Sequence, residues 1–310
     1  MRNAFDLLHG LAVSLKYPNM KTRTGNFPIG FRLGWTEWYK NFPACVAWAK
    51  ENGFEHIDIG QYTPEVANQL SANGLKIGTA DLLNFGKLSS PDDGVRKDLI
   101  AKNVEYIKTT AAAGAKVFFT IVPGEQGTPR AENYKRAVET FQPMAEAADK
   151  AGATIVIEGY PGGPPHYAVL CCTPESCRSI LRDVGPGMGL NFDPSHLIRL
   201  GVDPIRFLNE FLPHIHHVHG KDTELFPEAQ YEFGIYQDSV FQPSYKFGQN
   251  IWRYTIPGHG QFGWSTGLKI LHDSGYEGVV SVELEDDHFN GTEDGEKAGL
   301  LTSLSFLKGA

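Results

Sequence analysis

One arrangement repeats along the chain and limits what it can fold into. An amphipathic stretch ends at a glycine or small residue. A short β-rich apolar run follows and finishes in polar residues. The runs are PIGFRLGW, NGFEHIDIG, NGLKIGTAD, AGAKVFFTIV, AGATIVIEGY, GMGLNFDPSH, HIHHVHGKD and YEGVVSVELED, eight in all. Gly53, Gly74, Gly114, Gly152 and Gly275 stand where a helix C-cap precedes a strand. Between the runs, Tyr134, Ala137, Val138, Phe141, Ala145 and Ala148 follow the spacing of one buried helical face, as do Ile100, Val104 and Ile107. Asp203-Pro204 reads as an N-cap and first helical residue. Pro143 lies inside a helical stretch and is expected to kink it.

Strands alternating with helices imply parallel strands joined by right-handed crossovers. Eight such units predict an α/β fold, a single closed (β/α)8 TIM barrel. A barrel of ~250 residues plus extensions accounts for the 310-residue length. An open doubly wound sheet binding a nucleotide would carry a glycine-rich phosphate loop after its first strand, and GFRLGW is not one. The boundaries are an N-terminal extension over 1–27 and the barrel over 28–310. Inside the barrel, a long aromatic loop from Thr223 to about Thr255 follows the seventh strand.

The net charge of −8 excludes a broad basic surface for nucleic acid. No apolar run approaches the ~20 residues that span a bilayer. MRNAFDLLHGLAVSLKYP is broken by Arg2, Asp6, His9 and Lys16, so it reads as a short surface helix rather than a signal peptide. Of four cysteines, Cys171, Cys172 and Cys177 cluster in CCTPESC without zinc spacing; reduced thiols near a helix start are expected. Together these features predict a cytoplasmic protein.

Barrel active sites lie at the C-terminal ends of the strands. Strand five ends in Glu158. Strand six ends in Asp193, with His196 three residues on. Strand seven ends in His217 and His219, then Lys221 and Asp222. Strand eight ends in Glu283, with Glu285 and Asp286 beyond. Each of these four consecutive strand ends carries a metal-type ligand. Three carboxylates and an imidazole form a hard site suited to one divalent ion, Mn2+ first and Mg2+ or Co2+ as alternatives.

The set IEGY, NFDPSH, HVHGKD and SVELED resembles the xylose isomerase-like superfamily of sugar isomerases, epimerases, inosose dehydratases and keto-glycoside lyases. The resemblance runs from about residue 28 to the end. It implies Glu158, Asp193, His219 and Glu283 as metal ligands and His196 as a substrate contact. Pro257-Gly258-His259-Gly260 and Trp264 resemble the family's P-G-x-G loop. Gly263 replaces the usual Asp before that Trp, and Gly159 replaces a frequent Asn. His217 and His219 share a strand face, as do Glu283 and Glu285. His219 and Glu283, nearer the strand ends, are the ligands expected; His217 is a buried hydrogen-bonding or supporting group.

The implied activity is sugar isomerisation or epimerisation through an enediolate. Glu158 and Glu283 are the paired acid and base, as in related epimerases. Lys221 is a further catalytic candidate, as an enolate-stabilising cation or as a base with a depressed pKa; a salt bridge to Asp222 is the structural alternative. Arg253 and His259 are candidate substrate contacts, with a surface arginine as the plain alternative for the first. The same deprotonation can expel a β-substituent from a 3-keto-glycoside or an inosose.

Phe226, Tyr231, Phe233, Tyr236, Phe241, Tyr245, Phe247, Trp252 and Tyr254 in the long loop either stack on a sugar or cover the barrel side or a subunit interface. The expected partners are a small sugar substrate, a second copy of the chain in a homo-oligomer and, as in some keto-glycoside-cleaving relatives, a small partner subunit. Neither nucleic acid nor membrane is expected. An endonuclease-like hydrolase would need a basic groove. A non-catalytic sugar-binding barrel would lack one of the paired glutamates. A hydride-transfer enzyme would need G-x-G-x-x-G.

Overall fold

The structure, a computed structural model, describes residues 21–162 and 168–310. Eight parallel strands close into a barrel: β1 (Ile29–Arg32), β2 (His56–Ile59), β3 (Lys76–Asp81), β4 (Val117–Thr120), β5 (Thr154–Glu158), β6 (Met188–Phe192), β7 (Ile215–Gly220) and, last in the chain, β11 (Val280–Val282). Neighbours run in sequence order, and β11 closes the ring between β7 and β1. Each of the eight apolar runs contains one of these strands. Most of their side chains are buried, because one face fills the barrel and the other meets a helix layer; Lys76 on β3 and His216 on β7 are exposed.

Local signals in the sequence set the boundaries. Gly53, Gly74, Gly114, Gly152 and Gly275 all take positive φ, between 59° and 110°, and end the helices before β2, β3, β4, β5 and β11. A β-carbon there would be strained. Asp203 caps the helix Pro204–Phe211 by accepting from the Ile205 and Arg206 amides at 2.9 and 3.0 Å. The helix Arg130–Lys150 contains Pro143, as expected, and runs on through it. Its buried side includes Ala137, Phe141, Ala145 and Ala148, with Tyr134 and Val138 partly buried against the core. Cys171 and Cys172 precede the helix Pro174–Val184, Cys177 lies in its first turn, and all three thiols are buried and free.

The segment after β7 is more ordered than the expected loop. It contains β8 (Asp222–Leu225), a helix (Pro227–Phe233), β9 (Gly248–Gln249) and β10 (Trp252–Thr255). The three strands form an antiparallel sheet in the order β8-β10-β9, with Tyr254 opposite Thr223 and Thr255 opposite Asp222. The sheet therefore starts two residues beyond β7 and rises from the C-terminal rim of the barrel. The expected N-terminal helix lies outside the described residues. At the opposite end, Lys21 bridges to Pro28, and the Thr24 amide donates to the Ala310 carbonyl at 2.9 Å. No helix among the described residues is long and apolar enough to cross a membrane.

Candidate metal centre

β5, β6, β7 and β11 lie side by side in the closed ring, so their C-terminal ends converge on one point of the rim. Glu158 is the last residue of β5, Asp193 follows β6, His219 is the fifth residue of β7, and Glu283 follows β11. One ligand atom from each of the four lies within 4.8 Å of the others. The site thus combines three carboxylates and one imidazole, all four buried or nearly so. That donor set and spacing fit one hard divalent cation.

His219 is oriented for this. Its Nδ1 is 2.6 Å from Glu158 Oε1 and 3.4 Å from Glu283 Oε2, so Nδ1 faces the carboxylates. Its Nε2 points the other way, towards Asp58 Oδ2 at 3.5 Å. Phe119 stacks on the ring, with centroids 5.5 Å apart. Asp193 serves twice: Oδ1 accepts the Ser195 amide at 2.8 Å as the cap of the helix Pro194–Arg199, and Oδ2 is buried without a hydrogen bond. Asn191 donates to Glu158 Oε1 at 2.8 Å and fixes that carboxylate.

The electrostatics balance at close quarters. Burial alone would raise the Glu158 carboxyl, but His219 and His196 outweigh it and hold the group well below the usual carboxylate range. Burial also works against ionised Glu283, yet Lys221 prevails and brings it down to about 2. Glu285 goes the other way: burial raises it despite Lys221.

Lys221 is fully buried and within ion-pair reach of Asp193 (3.3 Å), Glu285 (3.0 Å) and Glu283. Burial would depress its ammonium, but these carboxylates outweigh it and raise the pKa well above 10.5. Lys221 is thus not depressed as a lysine base would need, the shift running the other way. Nor does it pair with Asp222. That carboxylate accepts from the amides of Thr223, Gly258 and Phe262 and from Trp264 Nε1, and so ties down the P-G-x-G loop.

Two sequence-based candidates are not brought to the centre. Arg253 is buried rather than on the surface, and it is not among the residues lining the cleft. Alternation along β10 turns Arg253 and Thr255 to one side, where Arg253 meets Asp286 at 3.0 Å and Glu224 at 2.7 Å. These carboxylates occupy its Nη1, Nη2 and Nε groups. His259 is exposed on the turn, with its amide bonded to the Ile256 carbonyl. His196 does reach the centre. Its Nε2 is 3.4 Å from Asp193 Oδ2 and 3.5 Å from Glu158 Oε2.

The sequence reading missed a supporting layer from the first three strands. Asp58 on β2 is fully buried; it accepts from the Thr79 amide at 2.9 Å and contacts His217 Nε2 at 2.9 Å. His217 is thus the buried hydrogen-bonding histidine expected. A β-carbon at residue 78 would lie 1.9 Å from Asp58 Oδ1, so Gly78 makes the room for this carboxylate. Arg32 on β1 grips Asp81 on β3 with two 3.0 Å bonds and approaches Glu283 at 3.4 Å. A charge inside each apolar run, as in HIDIG, GFRLG and GTAD, was the available signal.

Above the centre lies a cleft of about 370 Å3. Arg32, Glu158, Lys221, Glu283 and Glu285 give it charged side chains, and Trp35, Tyr39, Phe85, Phe119 and Tyr160 aromatic walls. None of the nine aromatic residues of the 223–255 segment is among its lining residues. Phe247 instead packs on Trp35, with centroids 6.0 Å apart. Trp252 and Tyr254 are buried, while Tyr231, Tyr236 and Phe241 face solvent.

Comparison with known proteins places this architecture. The chain is 36% identical over 176 residues to the uncharacterized protein YfiH of Bacillus subtilis (strain 168); the match covers 56% of the chain and about half, 51%, of that relative. It is 25% identical over 297 residues to the inosose dehydratase of Clostridium beijerinckii (strain ATCC 51743 / NCIMB 8052), covering 86% of this chain and 91% of that one. Among solved structures, the apo form of 3-keto-D-glucoside 4-epimerase YcjR from E. coli superposes with a TM-score of 0.67 at 15% identity, over 91% of this chain and 99% of the other. Residues 46–310 match the xylose isomerase-like TIM barrel model, and the chain belongs to that family.

Proposed function

We propose that this protein is a metal-dependent enzyme that moves a proton next to the carbonyl of a keto-sugar or related cyclic polyol. The main support is the convergence of Glu158, Asp193, His219 and Glu283 beneath a cleft of about 370 Å3, room for one or two sugar-sized rings. Mn2+ is the first candidate for the ion, with Mg2+ or Co2+ as alternatives. A divalent cation held there supplies Lewis-acid stabilisation of negative charge on substrate oxygen.

The remaining work falls to the chain's own groups. Glu283, kept ionised by Lys221, is placed at the cleft to accept the proton from the carbon beside the carbonyl. The C–H electron pair moves into the adjacent bond and the carbonyl electrons onto oxygen, giving an enediolate. In epimerisation Glu158, once protonated from solvent, delivers a proton to the opposite face and Glu283 releases its own to solvent; in isomerisation a proton returns to the neighbouring carbon while the hydroxyl proton passes between the two substrate oxygens. The Lys221 ammonium offsets the anionic charge of the floor, and His196 directs a ring nitrogen towards the same space. Trp35, Phe119 and Tyr160 offer apolar faces to the substrate ring and keep water from it.

A second reading, dehydration, has its own support. The inosose dehydratase relative aligns over most of both chains. Lys221 also stands beside Glu283 and Glu285, where it can protonate a hydroxyl leaving from the β-carbon. Both readings share the first deprotonation.

The test is 1H NMR in D2O with Mg2+-loaded protein and a panel of keto-hexoses, inososes and 3-keto-glycosides. Solvent deuterium entering the α-carbon is expected. Retention of that deuterated substrate or its epimer identifies an isomerase or epimerase, and appearance of an unsaturated product identifies a dehydratase. No exchange with any panel member overturns the proposal. Glu158→Gln and Glu283→Gln are each expected to weaken metal binding and abolish exchange.

A further inference from the structure

The antiparallel sheet outside the barrel sends one buried side chain into the centre. Tyr254 on β10 places its hydroxyl 2.6 Å from His196 Nδ1 and 2.6 Å from Arg199 Nη1. Arg199 is itself held, with Nη2 donating to the Gly162 carbonyl at 2.7 Å and the guanidinium lying 4.3 Å from the Trp252 ring centroid. The ring of Tyr254 also lies under the Lys221 ammonium, at 4.6 Å.

The donor inventory orients these bonds. A guanidinium has no acceptor, so Arg199 donates to the phenolic oxygen. Burial raises the Tyr254 phenol, which keeps its proton. A buried hydroxyl hydrogen needs an acceptor, and the neighbour bonded to this hydroxyl that has a free lone pair to offer is His196 Nδ1. If Nδ1 accepts, the neutral imidazole carries its hydrogen on Nε2. At the other end of the ring Nε2 faces carboxylate oxygens of Asp193 and Glu158 at 3.4 and 3.5 Å, which can accept its hydrogen, and Lys221 Nζ at 3.5 Å, whose own hydrogens are taken up by Asp193, Glu283 and Glu285.

We infer that Arg199 and Tyr254 are positioning residues that lock His196 as an Nε2–H donor aimed at the metal centre. The chain Arg199 to Tyr254 to His196 runs in one direction, and reversing it would leave the phenolic hydrogen buried without an acceptor. His196 then offers a hydrogen bond to a substrate oxygen, a consequence that rests on the proton-transfer function proposed above. The tautomer itself does not depend on that function. The inference also gives the excursion after β7 a role in the site, although its aromatic residues do not line the cleft.

The test is long-range 1H–15N NMR on 15N-labelled, Mg2+-loaded protein, at a pH where the histidines are neutral. His196 is assigned by its disappearance in His196→Gln. The expected pattern is a protonated Nε2 and an unprotonated Nδ1; the opposite tautomer overturns the inference. Tyr254→Phe removes the hydroxyl and is expected to give a mixed-tautomer signal. Arg199→Met, at a half-exposed site, frees the phenolic oxygen to accept and should also mix the tautomers while the fold persists. Unchanged His196 signals in both variants would overturn the assignment of their roles. With a substrate from the exchange panel, Tyr254→Phe should lower kcat about tenfold, the scale of one hydrogen bond, with KM changing less than kcat. Absence of any substrate would defeat the functional proposal and leave the NMR result to decide the tautomer.

Discussion

Replacing Asp286 by alanine should destabilise the protein without touching the centre. Asp286 is fully buried and accepts from Arg253 Nη1 (3.0 Å), Thr255 Oγ1 (2.6 Å), the Ile256 amide (3.2 Å) and the His288 amide (2.9 Å). Removing one partner of a buried ion pair costs about 3–5 kcal/mol. Arg253 would keep Glu224, a half-buried carboxylate, which argues for the lower end. The Thr255 hydroxyl and Ile256 amide would also lose their acceptor, and each buried unsatisfied group costs about 1–3 kcal/mol. Water entering the vacated space would restore part of this, so the expected loss is about 4 kcal/mol. At ~2 °C per kcal/mol for a domain of this size, melting should fall by about 8 °C. The assay is circular dichroism melting of the wild type, Asp286→Ala, Arg253→Met and the double variant. The double variant should lose less than the sum of the singles, because the fully buried pair goes together and only half-buried Glu224 is left without its partner. Metal affinity should stay within about twofold of wild type, since neither residue is among the proposed ligands. Strict additivity, or an Arg253→Met variant that melts normally but binds substrate poorly, would refute the structural assignment and restore a substrate-binding role for Arg253.

Three further outcomes follow from the geometry. Asp58→Ala should weaken metal binding by about 10–100-fold in a calorimetric titration, because it frees the far side of His219, and Gly78→Ala should do the same by displacing the carboxylate; wild-type affinity in both would remove Asp58 from the support of the centre. Asp222→Asn leaves one oxygen for donors that now address two, so melting should drop by about 2–4 kcal/mol equivalent and Trp264 fluorescence should shift; an unchanged melt would contradict the anchoring of the P-G-x-G loop. Burial depresses the His56 imidazole from 6.5 to about 4. The unfolded chain therefore binds more protons between those pH values, so this contribution to stability is complete above pH 6.5 and is lost as pH falls towards 4. His56→Gln should flatten that part of a melting-temperature profile, and an unaltered slope would show that another group governs it.

The barrel was legible because its signals are local. Glycine at a helix end and a short apolar run beside it are read within a dozen residues, and all five glycines adopted the conformation their positions required. The convergence of Glu158, Asp193, His219 and Glu283 was legible for a related reason: the fold brings consecutive strand ends together, so a polar residue at each end needs no contact map. Asp58 was not legible, because its partner His217 lies 159 residues away and only barrel closure brings them near. Arg253 misled for the same reason. An arginine in a long polar segment reads as a surface residue until β10 pairs with β8 and carries it to Asp286. The three-stranded sheet was also hidden, since two-residue and four-residue strands separated by a helix leave little periodicity to detect.

Asp222 and Asp286 grip the two roots of the excursion, one beside β7 and one where β10 re-enters the barrel. The stretch from 226 to 251, which leaves out Glu224, Arg253 and Tyr254, is held at both ends by these anchors. The chain therefore carries an exchangeable cassette bolted at both ends. Grafting another family member's insert between residues 226 and 251, with both aspartates, Arg253 and Tyr254 left in place, is a direct way to change what packs on Trp35 at the cleft wall without rebuilding the eight strands beneath it.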